Sequence, residues 1–105
     1  MIRCVCLVQG GQKPDQMEAT LKSALEAFCA RSFGEIPKVN WISIAPGSGF
    51  TAAKPSTSSI VSITAPHAVT QQRRADLLGE ICDLWMHETQ CSMNEIMAVV
   101  SDPRD

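Results

Sequence analysis

The chain lacks any apolar run approaching the ~18 residues that a membrane-spanning helix requires, so the sequence reads as having no membrane span. It also lacks an excess of positive charge: 9 lysines and arginines stand against 11 acidic residues, a net charge of −2. There is thus no basic field to attract nucleic acid or an anionic membrane surface. The opening stretch, Met1 to Val8, is apolar but too short for a signal peptide and has no small-residue cleavage site. The expected location is therefore cytoplasmic. No CxxC pair occurs, and the two histidines, His67 and His87, do not complete a four-ligand zinc set. The five cysteines are an odd number, and the one close pair, Cys4-x-Cys6, falls on one face of a strand. Free cysteine is among the most buried residue types, so these two read as small core hydrophobes. No GxSxG is present, and Gly47-x-Gly49 is too short for a phosphate loop. No metal and no cofactor is expected.

What is present is a pattern that occurs twice. At 105 residues the chain is one domain, residues 1–105, long enough to bury about 65% of its unfolded surface in a core without disulfides or metal. Ile2 to Gln9 is β-branched and apolar and ends at Gly10-Gly11, a strand followed by a turn. Pro14-Asp15 opens a helix, with proline suited to the first turn and aspartate to the N-terminal dipole. Met17, Leu21, Ala24, Leu25 and Phe28 form its apolar stripe. Gly34 and Pro37 stop it. Val39 to Ala45 alternates as a second strand, broken by Pro46-Gly47-Ser48-Gly49, and Phe50 to Ser56 reads as an irregular segment or short hairpin.

The pattern then repeats. Ser59 to Thr64 is a third strand, and Thr70 is the N-cap of a second helix. Leu77, Leu78, Ile81, Cys82 and Trp85 form that helix's stripe, which runs to about Gln90. Glu95 to Val100 is a fourth strand, ended by Pro103. Each half is β-α-β: residues 1 to about 57, then about 58 to 105. Strands joined by a helical crossover run parallel, with a right-handed connection. The expected fold class is α+β: two β-α-β pseudo-repeats forming a four-stranded mixed sheet with two helices packed on one face. Both faces of the first strand are largely apolar, so the face left bare by the helices calls for burial by oligomerisation.

The order and spacing of these segments resemble the tautomerase superfamily, which includes 4-oxalocrotonate tautomerase and the macrophage migration inhibitory factor group. The first strand and Gly turn, IRCVCLVQG, the helix from Asp15-Gln16 to Gly34, the strand Val39–Ile44, Gly47-Ser48-Gly49-Phe50, and Val69 to Arg74 with its following helix all look like family segments. Together they cover nearly the whole chain. The resemblance implies a homotrimer around a central barrel, with strands near residues 39 to 57 pairing across subunits. It also implies a small-molecule pocket at the N-terminal end of the first strand.

In that family an N-terminal proline is the catalytic base or acid on enol and keto forms of small carboxylated substrates. Its place falls here on Met1, expected to be retained before bulky Ile2. A free α-amino group with a pKa near ~7.7–8.0 is still partly neutral, but it lacks the fixed φ of proline. Met1 is therefore the catalytic candidate and a weak one. The arginines that hold substrate carboxylates in the family fall on Gly11 and Asn40, neither a cation, so the bidentate clamp is missing there. Arg3, Lys13, Lys38 and Lys54 are the available substitutes.

The substrate-binding candidates are Ile2, Asn40, Phe50 and Lys54. Three of them also have an ordinary reading: Phe50 as packing, Asn40 as an exposed edge residue, Lys54 as a solvated lysine. Arg73 and Arg74 oppose the dipole of the second helix and read as surface or intersubunit salt-bridge residues. His67 reads as a loop residue, and Trp85 and the Met93–Met97 region as core or subunit contact. Two functions follow. One is a keto-enol tautomerase or isomerase acting on a small enol or unsaturated carbonyl acid, with activity weakened by Met1. The alternative is a non-catalytic module of the same fold that binds a small molecule or a protein.

Overall fold

A computed structural model of the protein describes residues 2–9 and 17–104. Its main elements are β1 (Ile2–Gln9), α1 (Met17–Phe33), β2 (Pro37–Ile44), β3 (Phe50–Thr51), β4 (Lys54–Pro55), β5 (Ser59–Thr64), α2 (Gln71–Thr89) and β6 (Ile96–Ser101). The Gly10-Gly11 turn, the Pro14-Asp15 helix start and Met1 lie outside the described residues. The main sheet runs β2-β1-β5-β6. β1 pairs parallel with β2 and antiparallel with β5, and β5 pairs parallel with β6. Two parallel β-α-β halves thus meet at one antiparallel seam, which makes the four-stranded sheet mixed, as expected.

Local chemistry ends the helices where the sequence indicates. Gly34 sits at φ +75° and its N–H returns to the Ala30 carbonyl at 3.0 Å, closing α1. The Thr70 hydroxyl accepts from the Arg73 N–H at 3.1 Å, capping α2. Gln90, at φ 62°, closes its other end. Two strand boundaries differ from the sequence reading. β2 begins at Pro37 because this residue opens the strand beside Ile2 at the sheet edge, where its missing N–H costs no ladder bond. β6 begins at Ile96 because Met93–Glu95 forms a 3₁₀ turn, in which the Glu95 carboxylate accepts from the Ser92 N–H at 2.9 Å. The Ser92-x-x-Glu95 spacing carries that signal in the sequence.

The core lies between the sheet and the helices. Ile2, Cys4, Cys6 and Val8 of β1, with Val61 and Ile63 of β5, face Leu21, Leu25, Phe28, Cys29, Leu77, Ile81 and Trp85. Trp85 is core, not surface, and Trp41 stacks obliquely near it at 6.2 Å between ring centroids. Cys4 and Cys6 are buried as expected, with sulfurs 3.9 Å apart. Burial pushes the Cys29 thiol up to about 12, so at neutral pH it is a packed thiol and not a nucleophile.

Among the described residues, the opposite face of the sheet carries no helix. Strand register aligns its side chains in rows across the four strands. One row is Ile42–Leu7–Ile60–Met97, wholly apolar, with Met97 58% exposed. The next is Asn40–Val5–Ser62–Val99. The last is Lys38–Arg3–Thr64–Ser101. This face grades from apolar at the C-terminal end of β1 to polar and cationic at its N-terminal end.

Candidate functional site

Topology decides which chain segments meet at each end of β1. β2 runs parallel to β1, so the hairpin that follows β2 lies at the Gln9 end. β5 runs antiparallel to β1, and β6 parallel to β5, so the ends of both arrive at Arg3. Each end holds a cavity, and Arg3 and Gln9 are about 20 Å apart along the strand.

The cavity at the Gln9 end, about 400 Å³, is mainly apolar, walled by Leu7, Ile44, Ile60, Ile96, Met97 and the hairpin residue Phe50. Phe50 is 64% exposed, which makes it a wall and not a packed core residue. Gln9 also lines this cavity. It is only 7% exposed, and its Oε1 has no hydrogen-bond partner among the described residues. Gly49 allows the hairpin to approach, since a Cβ there would stand 3.3 Å from the Gln9 amide nitrogen. The hairpin turn is Ala52-Ala53, both at positive φ (52° and 63°). That is the primed-turn geometry usually given to Asn-Gly, here held by two alanines at a cost in strain.

The cleft at the Arg3 end, about 690 Å³, is lined by Arg3, Glu35, Thr64, Ala65, Pro66, Ser101, Asp102, Pro103 and Arg104. Its C-terminal wall is held by Arg74. The guanidinium donates to the Val100 carbonyl at 2.7 Å and to the Val69 carbonyl at 3.2 Å. It also donates to both Asp102 oxygens at 3.1 and 3.2 Å. The Val69 N–H donates to Asp102 as well. The Arg74 hydrogen bond and then that of Val69 hold the Asp102 carboxyl below the usual carboxylate range. The salt bridge expected of Arg74 is thus within the chain and ties the start of α2 to the end of β6.

The sequence-selected residues divide between these ends. Ile2 begins β1 at the cleft, but its side chain is buried against the helices, so only its backbone stands at the strand end. Asn40 is exposed on the open face, opposite Val5. Phe50 and the exposed Lys54 belong to the hairpin at the far end. A single chain does not bring Ile2 and the hairpin together. His67 is an exposed loop residue with its Nδ1 3.1 Å from the Ala68 carbonyl and its ring edge-on to Phe33. Arg104, Asp102 and Gln9 were not selected from sequence. Gln9 reads there as the last residue of an apolar strand. Asp102 and Arg104 flank Pro103 after the last strand, and only the parallel β5–β6 pairing places them beside Arg3. Among the described residues no group of three or more His, Cys, Asp or Glu side chains is placed to hold a metal ion. No described helix is long and apolar enough to cross a membrane.

No protein-family model matches the chain, and no curated protein matches it by sequence. Solved structures do match in shape. Native Ps01740 is 23% identical, with 96% of this chain and 93% of that one covered, at a TM-score of 0.87. A fused 4-OT described as a wild-type symmetric trimer is 14% identical over 96% of this chain and 85% of its own, at 0.82. A macrophage migration inhibitory factor-like protein from Entamoeba histolytica is 8% identical over 97% and 88%, at 0.76. At such identities a shared architecture is what these matches carry. Two parallel β-α-β halves, one antiparallel seam and a short hairpin after β2 give this chain the fold of the tautomerase superfamily.

Proposed function

We propose that this protein acts as a homotrimer with a tautomerase-type pocket for a small enol or unsaturated carbonyl acid, centred on the cleft at the N-terminal end of β1. The observation that carries this reading is the separation of the two ends of β1. The cleft has cations and the strand start, whereas the aromatic hairpin with Phe50 and Lys54 lies about 20 Å away. A second copy whose hairpin reaches this cleft completes a pocket that one chain leaves open. The unpaired apolar row Ile42–Leu7–Ile60–Met97 supports the same assembly, since apolar sheet surface of this kind is stabilised by burial. A solved fused 4-OT of the same fold is described as a trimer.

In this pocket the α-amine of Met1 is the base that moves the proton between carbon and oxygen of the substrate. Asn40 donates to the carbonyl, Phe50 covers the apolar body, and Lys54 faces the anion. As a primary amine without proline's ring, Met1 supports slow turnover at best. The test is ketonisation of phenylenolpyruvate and 2-hydroxymuconate, followed by ultraviolet absorbance on protein whose N-terminal residue is verified by intact mass. A Met1→Pro variant is expected to be faster by at least tenfold, and acetylation of the amine to abolish turnover. Wild-type turnover equal to that of Met1→Pro would refute the weak-base assignment. Silence of both proteins would leave the non-catalytic binding module as the function. The mass of the assembly by light scattering tests the trimer.

A further inference from the structure

We propose that the cavity at the Gln9 end of β1 is a second ligand site, which takes a neutral aromatic alcohol whose hydroxyl hydrogen-bonds the Gln9 amide. This goes beyond the reading of the cleft and does not depend on it, since the two lie about 20 Å apart along the strand.

The cavity differs from the cleft in charge. Among the described residues, none that lines it is ionisable, whereas the cleft carries Arg3, Glu35, Asp102 and Arg104. A carboxylate or ammonium brought to the Gln9 end loses its water and meets no counter-charge, so the ligand that fits is neutral. The volume of about 400 Å³ lies in the range of small-molecule sites and suits a fused-ring molecule. Leu7, Ile44, Ile60 and Ile96 give an apolar body its walls, and the exposed Phe50 and Met97 keep the cavity open to solvent.

One polar group in this lining is unsatisfied. Gln9 is 7% exposed, and its Oε1 has no hydrogen-bond partner among the described residues. The hydroxyls of the lining already have partners. Those of Thr51 and Ser56 lie 2.7 Å apart, and that of Ser58 donates to the Asn94 carbonyl at 3.3 Å. Burying an amide oxygen without a donor costs free energy that a ligand hydroxyl recovers. Oε1 is covered as the chain stands, but the amide turns about a soft, two-fold terminal torsion, so a hydroxyl in the cavity can draw it round. Gly49 leaves space for that turn, because a Cβ there would stand 3.3 Å from Nε2 and 3.8 Å from Oε1. A single polar group among apolar walls selects a ligand with a single hydroxyl on an apolar frame.

The probe pair is 2-naphthol and 2-methylnaphthalene, which share a shape and differ by hydroxyl against methyl. Dissociation constants are measured by calorimetry on the full chain in its native assembly. The wild type is expected to bind the naphthol about tenfold or more tightly, whereas a purely apolar pocket prefers the methyl compound. Gln9→Met keeps the side-chain length and removes the amide. It should reverse the preference and, by removing an unsatisfied buried oxygen, raise Tm by about 4–8 °C. Phe50→Ala, at an exposed wall residue that folding tolerates, should weaken both ligands by about five- to tenfold and keep their ratio, as for the loss of ~40–55 Å² of apolar contact. Methionine methyl resonances locate the ligand: Met97, which lines the cavity, should shift, and Met17, packed on the core from α1, should not. Arg3→Gln, in the cleft, should leave both constants unchanged. Naphthol binding without any ketonisation would sink the tautomerase reading and keep this one. Four results would overturn the second site: no preference for naphthol, a preference that survives Gln9→Met, naphthol binding lost in Arg3→Gln, or no binding and no Met97 shift because a neighbouring chain fills the cavity. A fall in Tm for Gln9→Met would do the same, since it would mean that the amide is already partnered in the assembly.

Discussion

Replacing Arg74 by methionine keeps the length of the side chain and removes every hydrogen bond that ties the end of β6 to α2. The magnitude can be worked from the contacts. The guanidinium donates to two backbone carbonyls, Val100 at 2.7 Å and Val69 at 3.2 Å, from a side chain only 18% exposed. A hydrogen bond from a charged donor contributes about 1.5–3 kcal/mol, and an acceptor left buried without a partner costs about as much as the bond itself. The pairing with Asp102 adds little, because that carboxylate is 42% exposed and screened by solvent. A loss of about 2–3 kcal/mol is expected, read as a fall in Tm of about 10–20 °C for a domain of this size. The melts must be compared at one protein concentration, since assembly shifts Tm by mass action. The loss should also depend on pH. Asp102's carboxyl lies below its ordinary value in the folded chain. Its contribution is therefore complete above about pH 3.9, the unfolded value, and is lost as pH falls through the folded value. The gap between wild type and Arg74→Met should narrow on acidification below pH 4 and stay constant from pH 5 to 7. A change in stability below about 0.5 kcal/mol, or a gap that widens in acid, would refute this account of Arg74.

Two further outcomes test the packing and the hairpin. Phe28→Ala, in a fully buried site between α1 and the sheet, should cost about 3–5 kcal/mol by loss of apolar burial and by the cavity it leaves; denaturant titration measures this. Ala53→Gly removes the strain of an alanine at φ 63° in the hairpin turn and should stabilise the protein by about 0.5–1 kcal/mol, net of the glycine's added unfolded-state entropy. A destabilising result would show that the turn geometry is different in solution.

Much of the fold is legible in the sequence because its signals are local. Period-2 and period-3.6 apolar spacing marks β1, β5 and both helices, and Thr70, Gly34 and Gln90 bound the helices within a residue or two. The two-fold repetition then leaves few sheet arrangements. Signals dependent on a neighbour were harder to read. Arg74 looks misplaced against the dipole of α2 until β6 brings the Val100 carbonyl and Asp102 to it. Ile2 looks like a pocket residue by position, yet alternation of side chains turns it into the core.

The sequence by itself determined the element order, the two β-α-β halves and the identity of the core stripes, because short-range periodicity and capping are encoded within one element. Only the tertiary structure decided which ends of those elements coincide. Strand direction gathers Arg3, Thr64 and Arg104 into one cleft and sends Phe50 and Lys54 to the opposite end. Register orders the open face into an apolar row and a cationic row. The physical reason is that strand pairing joins residues far apart in the chain, and no local spacing records which of them will meet.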